Sequence, residues 1–284
     1  RVAMAGVVGY ANTGTVVLNC ANAAEVVSTA GYYAAGIAGY MNGTYIANCY
    51  NTGSISGKKY AGGITAYLAC KSRNLYNTGA VSASDADCNV GGIAGQMANT
   101  SATTEECNWY NIGTVTGPTA GAPARVGALA GKGYGGSWSV VYPVYKNCYY
   151  SKTSETVVAL GGEATDREGL IAKTAEELKT ADLGAGFVAD SENVNGGYPI
   201  LVWQKLAEGQ SEHTLEVTTV VAPTCTEQGY TVYTCTACGD EVKADFVPAT
   251  GHSYEASVVA PTCEKDGYTN HVCSVCGDSY RDNY

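Results

Sequence analysis

Within the first 150 residues a short element returns at intervals, and a chain that repeats itself in this way can bury its apolar faces only by stacking one copy on the next. Asn19-Cys20-Ala21-Asn22 comes back as Asn48-Cys49-Tyr50-Asn51, Asn74-Leu75-Tyr76-Asn77 and Asn108-Trp109-Tyr110-Asn111, with a partial copy at Asn147-Cys148-Tyr149-Tyr150. The first asparagines lie 29, 26, 34 and 39 residues apart. A second element follows as Thr52-Gly53-Ser54-Ile55, Thr78-Gly79-Ala80-Val81 and Ile112-Gly113-Thr114-Val115. A third is Gly36-Ile37-Ala38-Gly39, Gly62-Gly63-Ile64-Thr65, Gly91-Gly92-Ile93-Ala94 and Gly127-Ala128-Leu129-Ala130. Each copy therefore holds two or three short β-prone runs, punctuated by glycine at sharp turns and by asparagine, which tolerates positive φ. Stacked copies would place equivalent strands about 4.8 Å apart, with Ile37, Ile64, Ile93 and Leu129 in register inside.

The composition agrees with turn-rich β structure carrying tyrosine on wet sheet faces: 36 Gly and 22 Tyr stand against 2 Phe and 3 Met. The net charge of −10 is uneven. Residues 1–150 carry eight Lys/Arg and five Asp/Glu, whereas residues 151–284 carry eight and twenty-one. An acidic second half argues against nucleic acid and anionic membranes as partners. No run reaches the roughly 18 apolar residues of a membrane span. The chain opens at Arg1 without a signal peptide and stops at Tyr284 inside a repeat, so it reads as a fragment whose export signal and anchor lie outside it.

The Gly-(Ile/Leu)-x-Gly element beside Asn-x-Tyr-Asn-Thr-Gly resembles the GLUG-motif repeats of bacterial surface proteins and secreted peptidases, over roughly residues 5–150. The resemblance implies a β-solenoid or stacked-sheet stalk at the cell surface. Thr165 to Glu168 and Thr174 to Glu177 both have capping-box spacing, which predicts short helices over about 166–172 and 175–182. Gly197-Tyr198-Pro199-Ile200-Leu201-Val202-Trp203 reads as a closing strand and resembles the ending of arrays of this family. Residues 151–206 are thus expected to cap the open edge of the last coil.

A second repeat family follows. Its first copy holds His213, Pro223-Thr224-Cys225, Gly229-Tyr230-Thr231 and Cys235-Thr236-Ala237-Cys238-Gly239. Its second holds His252, Pro261-Thr262-Cys263, Gly267-Tyr268-Thr269 and Cys273-Ser274-Val275-Cys276-Gly277, each cysteine offset by 38. The run Tyr230–Thr234 points to a strand leading into the Cys-x-x-Cys turn. The pattern resembles a Cys-rich repeat near the C-termini of large secreted clostridial proteins. Three cysteines cannot all close into disulfides within one copy, whereas one His and three Cys match the four donors of tetrahedral zinc. Two structural zinc sites follow: His213, Cys225, Cys235 and Cys238 in one, and His252, Cys263, Cys273 and Cys276 in the other. His252 closing copy one from behind is the alternative ligand assignment. A Cys-x-x-Cys disulfide with an odd thiol, or bridges between copies, is the alternative chemistry, favoured by an oxidising compartment. His271, opposite Tyr233 in the other copy, reads as a surface strand residue.

In the first half, Cys20, Cys49 and Cys148 share a repeat position with Leu75 and Trp109, which marks a packing site. Cys70, Cys88 and Cys107 lie off that position and cannot be paired from sequence. Asp85 and Asp87 share one loop with Cys88, where a solvated turn outweighs a calcium site. The first 200 residues contain no histidine, and no metalloprotease, serine-hydrolase or phosphate-loop motif appears, so no catalytic residue is assigned. The expected fold is mainly β. A β-solenoid or stacked-sheet repeat domain covers 1–150, a short α-containing cap covers 151–206, and two small β modules cover 207–246 and 247–284, the last truncated. The expected function is that of a structural or adhesive segment, stalk or adhesin, of a secreted or surface-displayed bacterial repeat protein. It would meet host or cell-wall glycans or surface proteins, and would not be an enzyme. An accessory region of a secreted carbohydrate-active enzyme or peptidase is the alternative, and a polysaccharide lyase on a β-helix is a third.

Overall fold

The computed structural model describes residues 2–43, 45–98, 105–118, 125–133, 143–152, 158–163, 165–205, 215–236 and 241–283. The chain divides into two compact units, residues 1–213 with 237–239, and residues 214–236 with 240–284.

The first unit is a parallel β-solenoid in which successive copies add strands to four sheets. The first sheet stacks Ala3–Ala5, Tyr33–Ala35, Tyr60–Gly62, Asn89–Gly91 and Arg125–Gly127. The second stacks Val8–Ala11, Ala38–Met41, Thr65–Leu68, Ala94–Met97 and Ala130–Lys132. The third runs from Val16–Leu18 through Tyr45–Asn51, Lys71–Asn77, Glu105–Asn111 and Val144–Ser151 to Leu170–Lys173. The fourth joins Val26–Val27, Ile55–Gly57, Val81–Ala83 and Val115–Thr116. Ala38, Thr65, Ala94 and Ala130 share one register, so the residues before them stack as the repeat pattern requires. Ile37, Ile64, Ile93 and Leu129 are fully buried in one core cluster. Their main chains hydrogen-bond in series, from Ile37 N to Ile64 O (3.0 Å), Ile64 N to Ile93 O (3.1 Å) and Ile93 N to Leu129 O (2.8 Å).

The two recurring asparagines of the copies do different work. The first adopts the left-handed conformation in every coil, with φ of 53° at Asn19, 54° at Asn48 and Asn74, 60° at Asn108 and 52° at Asn147. The second forms a buried amide ladder: Asn22 Nδ2 donates to Asn51 Oδ1 (2.7 Å), Asn51 to Asn77 (2.7 Å) and Asn77 to Asn111 (2.8 Å). The same nitrogens also donate to the carbonyls of Ala24, Gly53, Gly79 and Gly113, closing each turn. This ladder explains the glycine of the third element. A β-carbon on Gly6, Gly36, Gly63 or Gly92 would overlap the amide of Asn22, Asn51, Asn77 or Asn111 respectively. In the last coil Tyr150 stands where the asparagine would be, and Ala128 replaces the glycine.

Side chains alternate across the third sheet. Inward, Cys49, Leu75, Trp109 and Cys148 stack in register, each fully buried, and Leu170 continues the row. The cysteines of the first unit that share this position act as packing residues and carry unbridged thiols. Cys49 Sγ donates to Ala47 O at 3.0 Å. Replacing Cys49 with alanine is expected to cost about 1–3 kcal/mol as a buried large-to-small change. Cys49→Ser should cost no more, since its hydroxyl inherits the Ala47 carbonyl as acceptor. Urea unfolding of both variants checks this, and equal stability of all three proteins would remove the position from the core.

Outward, Tyr50, Tyr76 and Tyr110 stack face to face with centroids 4.8 and 4.9 Å apart. The expected cap lies over this tyrosine row. Beyond the last repeat, Leu129 N is bonded to Ala159 O (2.9 Å) and Leu170–Lys173 is added to the third sheet. Residues 174–205 then run back along the outside of the coils as a strap. Tyr149 OH donates to Asp182 O (3.1 Å), Tyr110 OH to Pro199 O (2.6 Å), Tyr76 OH to Gln204 Oε1 (3.0 Å), and Trp203 Nε1 to Asn48 O (3.0 Å). Leu178, Leu183, Phe187 and Leu201 are buried against the rings.

One of the two expected helices forms. Ala175–Lys179 is opened by the Thr174/Glu177 capping box, with Thr174 N donating to Glu177 Oε2 at 2.8 Å. The helix expected over 166–172 is a correction: Gly169 has φ of 82°, and Leu170–Lys173 pairs with Val144–Ser151 as a strand, so the open sheet edge wins over the Thr165–Glu168 spacing. The closing strand is short, Ile200–Leu201 pairing with Phe187–Val188, and a 3₁₀ turn over Val202–Lys205 follows.

The second unit contains two three-stranded antiparallel meanders. One is Leu215–Val221, Gly229–Cys235 and Glu241–Val247; the other is Tyr254–Val259, Tyr268–Cys273 and Ser279–Asp282. Among the side chains described there, the buried apolar ones are Cys225, Val232, Cys235 and Cys273.

Candidate metal centre

The sequence Pro-Thr-Cys folds into a tight turn because its threonine caps it. Thr224 Oγ1 accepts from Thr226 N (3.3 Å) and Glu227 N (2.9 Å), and Thr224 N donates to Glu227 O (2.9 Å). Thr262 repeats these bonds with Glu264 and Lys265. In the second meander the middle strand leads from this turn to a Cys-x-x-Cys knuckle at its far end. In the second meander Cys273 N donates to Asp278 O (2.7 Å) and Gly277 N to Cys273 O (2.9 Å), with Gly277 at φ of 76° closing the knuckle.

Cys225, His252, Cys273 and Cys276 bring their ligand atoms within 4.8 Å of one another. Cys225 Sγ lies 3.8 Å from Cys273 Sγ, and Cys276 Sγ lies 3.3 Å from His252 Nδ1. A zinc ion bound at about 2.3 Å to sulfur and 2.0–2.1 Å to nitrogen requires tetrahedral edges of about 3.8 Å and 3.5 Å, so these separations fit. His252 stacks on Tyr254, whose hydroxyl donates to Asp278 Oδ2 (2.6 Å); that oxygen is 3.9 Å from His252 Nδ1. The Asp278 carboxylate pushes the Tyr254 hydroxyl up to about 12.

The cluster is electrostatically divided. The backbone N–H of Cys276, then that of Val275 and the His252 ring, outweigh burial and bring the Cys273 thiol down to about 6. Burial, and then the neighbouring sulfurs of Cys276 and Cys273, push the Cys225 thiol up to about 11. A cation among the sulfurs would favour the thiolate at every position. The donor set of three sulfurs and one imidazole fits a structural zinc site with four protein ligands.

The two expected sets are not the ones assembled. Cys225 comes from the first copy and His252, Cys273 and Cys276 from the second. Cys263, assigned to the second site, is exposed and outside the group. Cys235, assigned with Cys225, is buried but also outside the group. His213 and Cys238 lie outside the described residues. The physical reason is strand length. Gly229–Cys235 separates the two ends of the first copy by about 20 Å at 3.3 Å per residue, and Tyr268–Cys273 does the same in the second. His271 is a strand residue, stacked on Tyr280 and 3.0 Å from Asp282 Oδ1. In the solenoid Asp87 pairs with Lys59 Nζ at 2.5 Å, consistent with a solvated turn.

No family model matches the chain, and no curated protein matches it. Among solved structures it is similar to the crystal structure of a putative immunoglobulin A1 protease from Bacteroides ovatus, at 27% identity and a TM-score of 0.48. The match covers 72% of this chain and 64% of that one, so this chain spans less than two thirds of its length. That neighbour's name corrects the expectation that the chain is not an enzyme, and the exclusion is withdrawn.

Proposed function

We propose that the chain is a structural and adhesive segment of a secreted or surface-displayed bacterial repeat protein of the GLUG kind, continued by zinc-held modules. The observation that carries this reading is the outward face of the solenoid. Tyr10, Tyr40 and Tyr67 stand in register on the second sheet, and Tyr60 on the first, packed over the buried ring of Tyr33. Tyr40 and Tyr67 stack at 4.6 Å, and Tyr33 meets Tyr40 at 5.4 Å. Rows of amphipathic rings on a rigid parallel scaffold suit contact with glycans or surface proteins, where an apolar body and a polar edge are both used. Among the described residues no helix is long and apolar enough to cross a membrane.

The test is binding of the chain to arrayed bacterial and host glycans and to extracted surface proteins, with Tyr40→Ala as the control. Retention is expected to fall about tenfold in the variant, the scale of one lost anchor of 1–2 kcal/mol, while the solenoid keeps its circular dichroism spectrum. Absence of retention on every surface overturns adhesion. Incubation with immunoglobulin A1 runs beside it, and cleavage would replace the adhesive reading with a catalytic one.

A further inference from the structure

We infer that the Cys225, His252, Cys273 and Cys276 centre is a joint, in which one metal ion ties the turn of one Cys-rich repeat to the knuckle of the next. The inference rests on the reading that the centre holds zinc, and adds which parts of the chain the ion connects.

Three observations carry it. The first is that a site inside one copy is out of reach, because an extended strand separates the cysteine of Pro-Thr-Cys from the first cysteine of Cys-x-x-Cys, Cys235 in one meander and Cys273 in the other. The second is the linker. Thr250 N donates to Thr224 O (2.9 Å) and Gly251 N to Cys225 O (3.1 Å), so Thr-Gly-His is laid against the turn of the first copy. One residue after the histidine, Ser253 O accepts from Ser274 N (3.0 Å), inside the Cys-x-x-Cys of the second copy. Gly251, at φ of 74°, lets the chain turn between these two attachments. His252 thus sits between the two parts it would connect, with Cys225 on one side and Cys273 and Cys276 on the other. The third is that the described apolar side chains do little to hold the two meanders together. Val217, Val220 and Val258 are exposed, at 56%, 70% and 82%, rather than packed between the meanders. Two of the buried side chains described in this unit, Cys225 and Cys273, are themselves donors.

The natural frame for metal binding is therefore offset from the frame of sequence similarity. It runs from Pro-Thr-Cys, through Thr-Gly-His, to the Cys-x-x-Cys of the following copy. Each ion would belong to a junction, and its loss would uncouple neighbouring copies.

The whole chain, loaded with zinc and separately with cobalt(II), supplies the test. Cys225→Ser is expected to lose one metal equivalent and the sulfur-to-cobalt charge-transfer band of that ion. Cys263→Ser should keep the wild-type content and spectrum. Cys225→His, which preserves four donors, should retain the ion with a spectrum showing one sulfur fewer, which separates lost ligation from misfolding. Hydrogen exchange at the Thr250 and Gly251 amides should accelerate at least about tenfold on chelation, the scale of 1.4 kcal/mol of lost protection. Release of metal by Cys263→Ser but not by Cys225→Ser overturns the joint and places the ion within one copy. Full metal retention with an unchanged spectrum in Cys225→Ser overturns the joint while leaving zinc in place. A wild-type chain that binds neither ion overturns the zinc reading and the joint together.

Discussion

Replacing Asn77 with alanine is expected to destabilise the solenoid by about 3–6 kcal/mol. The side chain is fully buried and holds the middle of the amide ladder. Its loss leaves an Asn51 N–H and the Gly79 carbonyl without their bonds, at about 1–3 kcal/mol for each buried group. It also opens a void against Gly63, which is a glycine because the amide fills that space. Asn22→Ala should cost less, because Asn22 stands at the end of the ladder and bonds only one neighbouring coil. Urea unfolding followed by circular dichroism measures both. A cost below about 1 kcal/mol at Asn77 would show that the ladder fixes register without contributing stability.

The second large effect concerns metal. Chelation is expected to unfold residues 215–283 while the solenoid transition stays where it is. The meanders leave the strand Tyr254–Val259 exposed along its whole length, and modules this small seldom stand on apolar burial alone. Structural zinc in comparable small domains contributes an apparent 10–16 kcal/mol, about the whole of their folding energy. The solenoid has separate cores and draws nothing from the ion. Limited proteolysis with and without chelator reads this directly, as cutting confined to the Cys-rich unit. A unit that resists chelation and shows no titratable thiols would be held by disulfides instead.

The solenoid was legible because its determinants repeat. Isoleucine between small residues, asparagine before Thr-Gly and glycine before isoleucine recur together, and each proves to be a layer of one ladder. What periodicity could not supply is any contact made by a segment that occurs once. The tyrosine of Asn-x-Tyr-Asn reads as a wet sheet residue, yet Tyr110 is buried because Pro199 and Asn195, far along the chain, cover it. Nor did the spacing of Thr165 and Glu168 reveal the edge of Val144–Ser151 that claims Leu170–Lys173 as a strand. At the metal centre the donor types were legible and their grouping was not. The signal was nevertheless available: the Tyr230–Thr234 run that predicted a strand also separates Cys225 from Cys235. Once that strand is accepted, the cysteines at its ends cannot share an ion, and the knuckle must look to another copy.

The strap sets a limit on how such an array can evolve. Tandem repeats lengthen and shorten readily by duplication and loss, since each coil needs only its neighbours. Here Asp182, Pro199, Trp203 and Gln204 bond Tyr149, Tyr110, Asn48 and Tyr76, which belong to four different coils. An extra coil between Asn48 and Tyr149 would slide every later partner by about 4.8 Å and break the bonds together. Growth is therefore confined to the end that begins at Ala3, where no strap crosses the coils among the described residues. The covered coils behave as a measured block, inherited whole, and variation in length belongs to the turns preceding them.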